Sequence, residues 1–184
     1  MLYNVRQSYT PALEAHEFNP HALIIDTETV GTGSSIEVVE VALCDFEGRV
    51  LLDSLVRPVY NPPPRSTPAQ RFDSDEFDAA PDWTDVWPAL AALADNKLLV
   101  AYNAAFDRRA LAAMCARNRL PATAGRGWRC AMQLAKRVLG AKKNLLLSEA
   151  CARFGLEAGS HRAAADVLAT HRLLQRLTIK STED

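Results

Sequence analysis

ALIIDTETVG, residues 22–31, is the stretch whose reading decides the fold. Its first half is a short apolar, β-branched run ending at Asp26, the pattern of a buried central strand that stops where the polar Thr27-Glu28-Thr29 begins. Asp26 and Glu28 stand two apart, so both carboxylates project from one face of the sheet. Like charges that close repel, and a cation between them removes the conflict. Hard oxygen donors of this kind favour Mg2+ or Mn2+ over zinc. A DxE pair alone is common on surface strands, so its meaning depends on the rest of the chain.

Outward from this strand, residues 36–46 (IEVVEVALCDF) and 49–58 (RVLLDSLVRP) predict two further strands joined in a hairpin at Phe46-Glu47-Gly48, with Glu37 and Glu40 as polar positions among apolar ones. Residues 59–77, rich in Pro and polar side chains, predict a long irregular connection of the sort that borders a site. A helix comes next over 82–93, with Asp82 near its start and Pro88 in its first turn or at a bend. Residues 98–102 (LLVAY) predict a buried strand and 103–120 a helix. After a glycine turn near Gly125 and Gly127 come two short helices, 130–140 and 145–156, each closing at a glycine, and a last helix over 163–177. Strands first, then alternating helix and strand, give an α/β chain with a mixed sheet flanked by helices. Residues 1–20 form an N-terminal arm without periodicity, 21–178 the domain, and 179–184 a C-terminal tail.

Two of these helices carry carboxylates where apolar side chains belong. Positions 107, 111, 114 and 118 share one helical face, so Asp107 points with Leu111 and Met114 toward the sheet. Asp166 obeys the same logic, on a stripe with Thr170, Leu173 and Leu177. With Asp26 and Glu28 these residues make an acidic cluster that bound cations must compensate. Two divalent ions in such a cluster can activate a water and stabilise the leaving oxygen of an in-line phosphoryl displacement. His161 precedes the last helix beside Gly159 and Ser160. A histidine, with a free pKa of about 6.5, is suited to take the proton from that water.

Composition agrees with an ordinary globular domain: 48% hydrophobic and 23% charged residues over 184 positions. No apolar run approaches the roughly 18 residues a membrane span needs, and the N-terminus lacks the apolar segment of a signal peptide, so the expected location is the cytoplasm and no membrane partner is expected. Cys44, Cys115, Cys130 and Cys151 show no metal-ligand spacing and read as buried thiols. Trp83, Trp87 and Trp128 read as core; His16, His21 and His171 read as surface or packed residues. The net charge of -1 conceals an asymmetry. Residues 1–96 carry 5 basic and 16 acidic side chains, whereas residues 97–143 carry 11 basic and 1 acidic. That single acid is Asp107, set in a segment able to attract phosphates, with Lys142 and Lys143 among the candidates for backbone contact.

Taken together, IIDTETVG (24–31), VAYNAAFDRRAL (100–111) and HRAAAD (161–166) resemble the three motifs of the DEDDh branch of the DnaQ-like 3'-5' exonucleases. His161 and Asp166 match the family's HxAxxD spacing. FDRRAL together with WRCAMQLAKR (128–137) is most similar to exonuclease X and its bacterial and phage-borne relatives. The resemblance covers residues 21–177 and implies a ribonuclease H-like fold. It also implies Asp26, Glu28 and Asp166 on two divalent metal ions, Mg2+ or Mn2+, Asp107 supporting the second partly through water, and His161 as general base. The product implied is a nucleoside 5'-monophosphate. The backbone of Thr27 to Val30 and the Thr29 hydroxyl would meet the terminal nucleotide, and Asn103 would orient substrate or the active-site backbone. Phe106 either stacks on a base or packs in the core. Where the family commonly has His-Gly-Ile, this chain has Gln70, Arg71 and Phe72, and Tyr102 stands where relatives often have His.

The expected partner is a nucleic-acid 3' end, DNA by the resemblance to exonuclease X, with RNA trimming as the alternative, since the metal site ignores the sugar. A different class of function, a silent DnaQ-like module for binding or assembly, would leave a gap among the five residues. None is missing here.

Overall fold

The computed structural model describes residues 21–60, 72, 74–122 and 125–180. Its centre is a five-stranded mixed sheet in the order β3-β2-β1-β4-β5, where β1 is Ala22–Val30, β2 Glu37–Cys44, β3 Val50–Leu55, β4 Leu98–Ala101 and β5 Gly127–Cys130. β1 pairs antiparallel with β2 and parallel with β4; β2 pairs antiparallel with β3 and β4 parallel with β5. Helices α1 (Trp83–Ala94), α2 (Ala104–Arg117), α3 (Ala131–Val138), α4 (Leu147–Ala152) and α5 (Ala163–Lys180) accompany the sheet, with short 3-10 turns at Gly33–Ser35 and Ser74–Phe77. The α/β class and the mixed, helix-flanked sheet are those expected from the sequence.

Three local features depart from expectation, each for a physical reason. β1 does not stop at Asp26 but runs to Val30, because β2 stays paired with it as far as Val30 and Glu37 and so supplies backbone partners to the polar Thr27-Glu28-Thr29. Glu28 faces Glu40 while Thr29 faces Val38, so Val39 is a bulged residue. Glu37 and Glu40, polar positions in the strand, are 1% and 2% exposed. Each carboxylate is buried with donors: Glu37 accepts the Val59 and Tyr60 N–H groups, and Glu40 accepts from Arg162 and Ala163. β5 was not expected at all. It is four residues long, three of them only partly buried, and its signal was hidden behind Gly125 and Gly127.

The β2–β3 hairpin turns at Asp45 to Gly48, and Asp45 accepts the Glu47 and Arg49 N–H groups. Gly48 has a φ of 81° and a Cβ there would lie 3.0 Å from the His171 ring on α5, so the hairpin tip is fitted against that helix. His171 Nε2 lies 2.9 Å from the Phe46 carbonyl, which accounts for this buried histidine as a packing residue. α1 begins at an Asp82–Asp85 capping box, and Pro88 sits in its second turn, where it removes one helical N–H bond without ending the helix. Gly140 and Gly155 close α3 and α4 in left-handed conformations, as predicted. The four cysteines, Trp83 and Trp87 are buried, and Trp128 is half-buried.

α5 lies on the sheet face that carries Ile24, Asp26 and Glu28 with their cross-strand partners Cys44, Ala42 and Glu40; the Cys44 thiol meets the Val167 carbonyl and Glu40 meets the start of the helix. Val167, Leu173, Leu174 and Leu177 fill this layer. α2 starts directly after β4, so its first turn sits at the carboxyl end of the parallel pair β1–β4, where α/β sheets build their sites. Among the described residues no helix is long and apolar enough to cross a membrane. Residues 1–20, 61–71 and 181–184 lie outside the described residues, and with them the expected arm, most of the long connection including Gln70 and Arg71, the last residues of the tail, and His16.

Candidate active site

Asp26, Glu28, Asp107, His161 and Asp166 come from three separated stretches of the chain and meet at the carboxyl end of β1. Ligand atoms of Glu28, His161 and Asp166 all lie within 4.8 Å of one another. Asp26 feels the charges of Asp107, Asp166, Glu28 and Glu40. Asp107, 3% exposed in the first turn of α2, is bonded to β1 through one oxygen: Oδ1 accepts the Thr27 N–H at 3.1 Å and the Thr27 hydroxyl at 2.9 Å. β4 has ended by this point, so the carboxylate takes the place of a ladder acceptor for Thr27.

The electrostatics are those of a site short of positive charge. Burial pushes the Asp26 carboxyl well above its ordinary value, and its four acidic neighbours push it further. Burial also pushes Asp107 up to about 7, against the lowering effect of the Thr27 hydrogen bonds. Asp166 is raised by burial, with His161 opposing the shift. Asp166 Oδ1 is buried and meets no donor, a state that costs free energy unless a cation or a proton fills the position. Oxygen-rich donors, an unpartnered buried carboxylate oxygen and mutual repulsion fit a hard divalent ion. Residues able to hold one are Asp26, Glu28, Asp107 and Asp166, with His161 at the same point.

These shifts set the pH dependence of metal-free stability. A carboxyl whose folded pKa is raised holds its proton in the folded state between its unfolded value, about 3.9 for Asp, and its folded value, so stability falls as pH rises through that window. For Asp107 the window closes at about 7. In chelator, the melting temperature should therefore be higher at about pH 5 than at about pH 8, while added Mg2+ should stabilise most at the higher value, where the carboxylates are free to bind it. A chelated protein that melts higher at alkaline pH would contradict an acidic cluster whose carboxyls are raised in the folded state.

Gly159 belongs to this site, and sequence reasoning gave it no role. A Cβ on it would overlap Asp166 Oδ1 and approach Asp166 Cα to 2.9 Å, so the main chain before His161 can pass only because residue 159 lacks a side chain. Its position two residues before His161 was the available signal. Gly159→Ala should displace Asp166 and reduce both Mn2+ affinity and any metal-dependent turnover by about 10- to 100-fold, the size of effect seen for residues that support metal ligands. Wild-type Mn2+ titration in that variant would show that Asp166 has no need of this position.

The outlying candidates divide. Thr27, expected to meet a nucleotide, has both its N–H and its hydroxyl on Asp107 and is 6% exposed, so in this structure it orients that carboxylate. Thr29 and Val30 are half-buried past the bulge, with Thr29 next to Glu28. Asn103 is exposed at the N-cap of α2. Phe106 packs partly against the core beneath the Arg109 guanidinium, 5.7 Å from its ring centre. Tyr102 is 8% exposed and donates its hydroxyl to the Leu145 and Leu146 carbonyls, tying the 140s loop with Lys142 and Lys143 to the start of α2. A cavity of about 190 Å³ lined by Glu37, Tyr60, Trp83, Met114 and Arg117 lies at the far end of α2 and includes none of the candidates.

The chain compares with known proteins as this geometry leads one to expect. Residues 23–174 match the RNase_T exonuclease family model. An uncharacterized exonuclease, CP81, of Escherichia phage 186 is 37% identical over 87 residues, 47% of this chain and 45% of that protein, so the chain spans about half the length of the curated relative it matches. Among solved structures, a 3'-exonuclease in a study of 3'-end recognition of the histone mRNA stem-loop has a TM-score of 0.61 at 14% identity, covering 89% of this chain and 81% of that one. The nuclease domain of 3'hExo, a DEDDh family member bound to rAMP, has a TM-score of 0.56 at 17% identity, covering 89% and 92%. These two share the fold: a mixed sheet flanked by helices in the ribonuclease H-like arrangement. With three motifs in place on that fold and most of its length matched, the chain belongs to the RNase_T exonuclease family, within the DnaQ-like group that carries the DEDDh residues.

Proposed function

We propose that the protein is a metal-dependent 3'-5' exonuclease that hydrolyses phosphodiester bonds at the 3' end of DNA and releases nucleoside 5'-monophosphates. The observation that carries this reading is the meeting of Glu28, His161 and Asp166 on a family fold, with Asp26 and Asp107 close enough to add their charges and a buried carboxylate oxygen lacking any donor. Asp26, Glu28, Asp107 and Asp166 would hold two Mg2+ or Mn2+ ions, which supply Lewis-acid stabilisation of charge on the attacked phosphate and on the leaving oxygen.

The chain's own residues do the rest. His161, exposed at the mouth of the cluster, receives the proton of the attacking water on a ring nitrogen. Thr27 fixes the rotamer of Asp107 by two hydrogen bonds to a single oxygen, so the carboxylate enters the reaction already oriented. Thr29, Val30, Asn103 and Phe106 lie within four positions of Glu28 or Asp107 in the chain and are assigned to the terminal nucleotide. The basic segment 97–143 provides the attraction for the polyanionic strand.

DNA is preferred because the second motif and the segment after it resemble those of exonuclease X. A time course with 5'-labelled single-stranded DNA, duplex DNA and RNA, in Mg2+ or Mn2+, tests activity, polarity and sugar together. Successive shortening of the labelled DNA with mononucleotide products is expected. Faster RNA shortening would replace the substrate while keeping the chemistry, and no cleavage of any strand would return the chain to a binding role.

A further inference from the structure

His161 does not sit on a regular element. Its φ is 56°, in the left-handed region that few non-glycine residues occupy, although Asn, Asp and His do so more readily than the rest. On one side is Gly159, which passes against Asp166. On the other side, the two residues after His161 are both held by one carboxylate. Glu40 Oε1 accepts from Arg162 Nε at 2.8 Å, and Glu40 Oε2 accepts the Ala163 N–H at 2.8 Å. The Glu40 side chain is 2% exposed, so neither bond competes with much water. Glu40 is also the cross-strand partner of Glu28. A short path of bonds and strand register therefore fixes His161 relative to the DxE motif, across more than 120 positions of sequence.

Arg162 extends the latch outward. Its guanidinium lies 4.8 Å from the ring centre of Phe72, which is itself buried against Phe77 with ring centres 5.4 Å apart, and it approaches Glu76 at 4.0 Å. Phe72 and Glu76 belong to the connection between β3 and α1. One side chain thus joins three parts of the rim: β2 through Glu40, the β3–α1 connection through Phe72 and Glu76, and the loop that carries His161.

We propose that Glu40 and Arg162 are positioning residues that act through His161, holding its backbone in the left-handed conformation that brings the imidazole to Glu28 and Asp166. The proposal rests on the reading of His161 as general base for its effect on turnover, but not for its effect on the position of the ring. Glu40→Gln keeps the shape and one acceptor for Ala163 while losing the charge that pairs with Arg162. Arg162→Lys keeps the charge while losing the guanidinium that lies over Phe72 and donates from Nε to Glu40.

Two measurements on the full chain test it. The first needs no metal and no substrate: the imidazole signals of His161 in proton–nitrogen NMR spectra, assigned by their loss in His161→Ala. Glu40→Gln and Arg162→Lys should both move those signals or broaden them by exchange while the His171 signals stay in place. His161 signals unchanged in both variants overturn the proposal, whether or not the protein proves to be a nuclease. The second is a double-mutant cycle on DNA hydrolysis. Each single substitution should lower kcat by about 10- to 100-fold with KM little changed. In the His161→Ala background Glu40→Gln should then cost nothing further. Losses that multiply in the double variant would show that Glu40 acts elsewhere, and would overturn the positioning role while leaving the exonuclease reading intact.

Discussion

Asp26→Ala is expected to lower metal-dependent release of mononucleotides by at least about a thousandfold while leaving the fold intact, and to keep or raise the melting temperature of the metal-free protein. The two halves of this expectation come from one cause. Asp26 is surrounded by Asp107, Asp166, Glu28 and Glu40, and its carboxyl is driven well above the ordinary range by burial and by those charges. In the absence of cations it is a source of repulsion, so its removal relieves the native state. In their presence it is the side chain that faces every other carboxylate, so its removal dismantles the ion site. An ordinary core deletion behaves differently, costing stability with or without metal. Asp26→Asn, nearly isosteric, should reproduce both effects. Circular dichroism and thermal melts in chelator, paired with product analysis in Mg2+, separate the two. Undiminished hydrolysis by either variant would sink the site assignment, and a large drop in chelated melting temperature would show Asp26 to be structural.

That cluster was legible in the sequence because two of its members, Asp107 and Asp166, stand where apolar side chains are expected. Asp107 shares a helical face with Leu111 and Met114, and the structure buries all three. Asp166 shares one with Leu173 and Leu177, and its Oδ1 is buried without a donor. A carboxylate on an apolar stripe is conspicuous in periodicity, and two of them following a DxE pair, with a histidine at fixed spacing, narrow the chemistry sharply. The residues that support the cluster were harder to see, because their signals are non-local. Glu37 and Glu40 are three apart, and a regular strand places such residues on opposite faces, so a strand covered on both sides must bury both or bulge between them. The structure does both. Nothing in the local sequence says that Glu40 will meet Arg162, since that pairing depends on how α5 lies across the sheet. Gly159 reads as a loop glycine until Asp166 is seen beside it. The extension of β1 to Val30 has the same origin: Thr27-Glu28-Thr29 is polar enough to end a strand by itself, and only pairing with β2 carries it on.

His161→Ala should lower kcat by about a hundredfold to ten-thousandfold, the range of a lost general base, while Mn2+ affinity and KM for the DNA strand stay close to wild type. The structure makes this a sharp test, because His161 stands within ligand distance of Glu28 and Asp166 and its imidazole could serve either purpose. The two roles predict opposite readouts. A ligand lost from the cluster weakens ion binding first, and activity returns when the ion concentration is raised. A base lost from the cluster leaves ion binding alone, and no concentration of Mn2+ restores the rate. The pH dependence adds a second discriminator. With the carboxylates kept ionised by saturating divalent cation, the remaining loss of kcat toward acid pH belongs to the base, so that limb should flatten in His161→Ala and persist in a variant that only weakens ion binding, such as Gly159→Ala. An unchanged pH–rate profile in His161→Ala, or recovery of its rate by Mn2+ alone, would assign His161 to the ion and leave proton removal to another group.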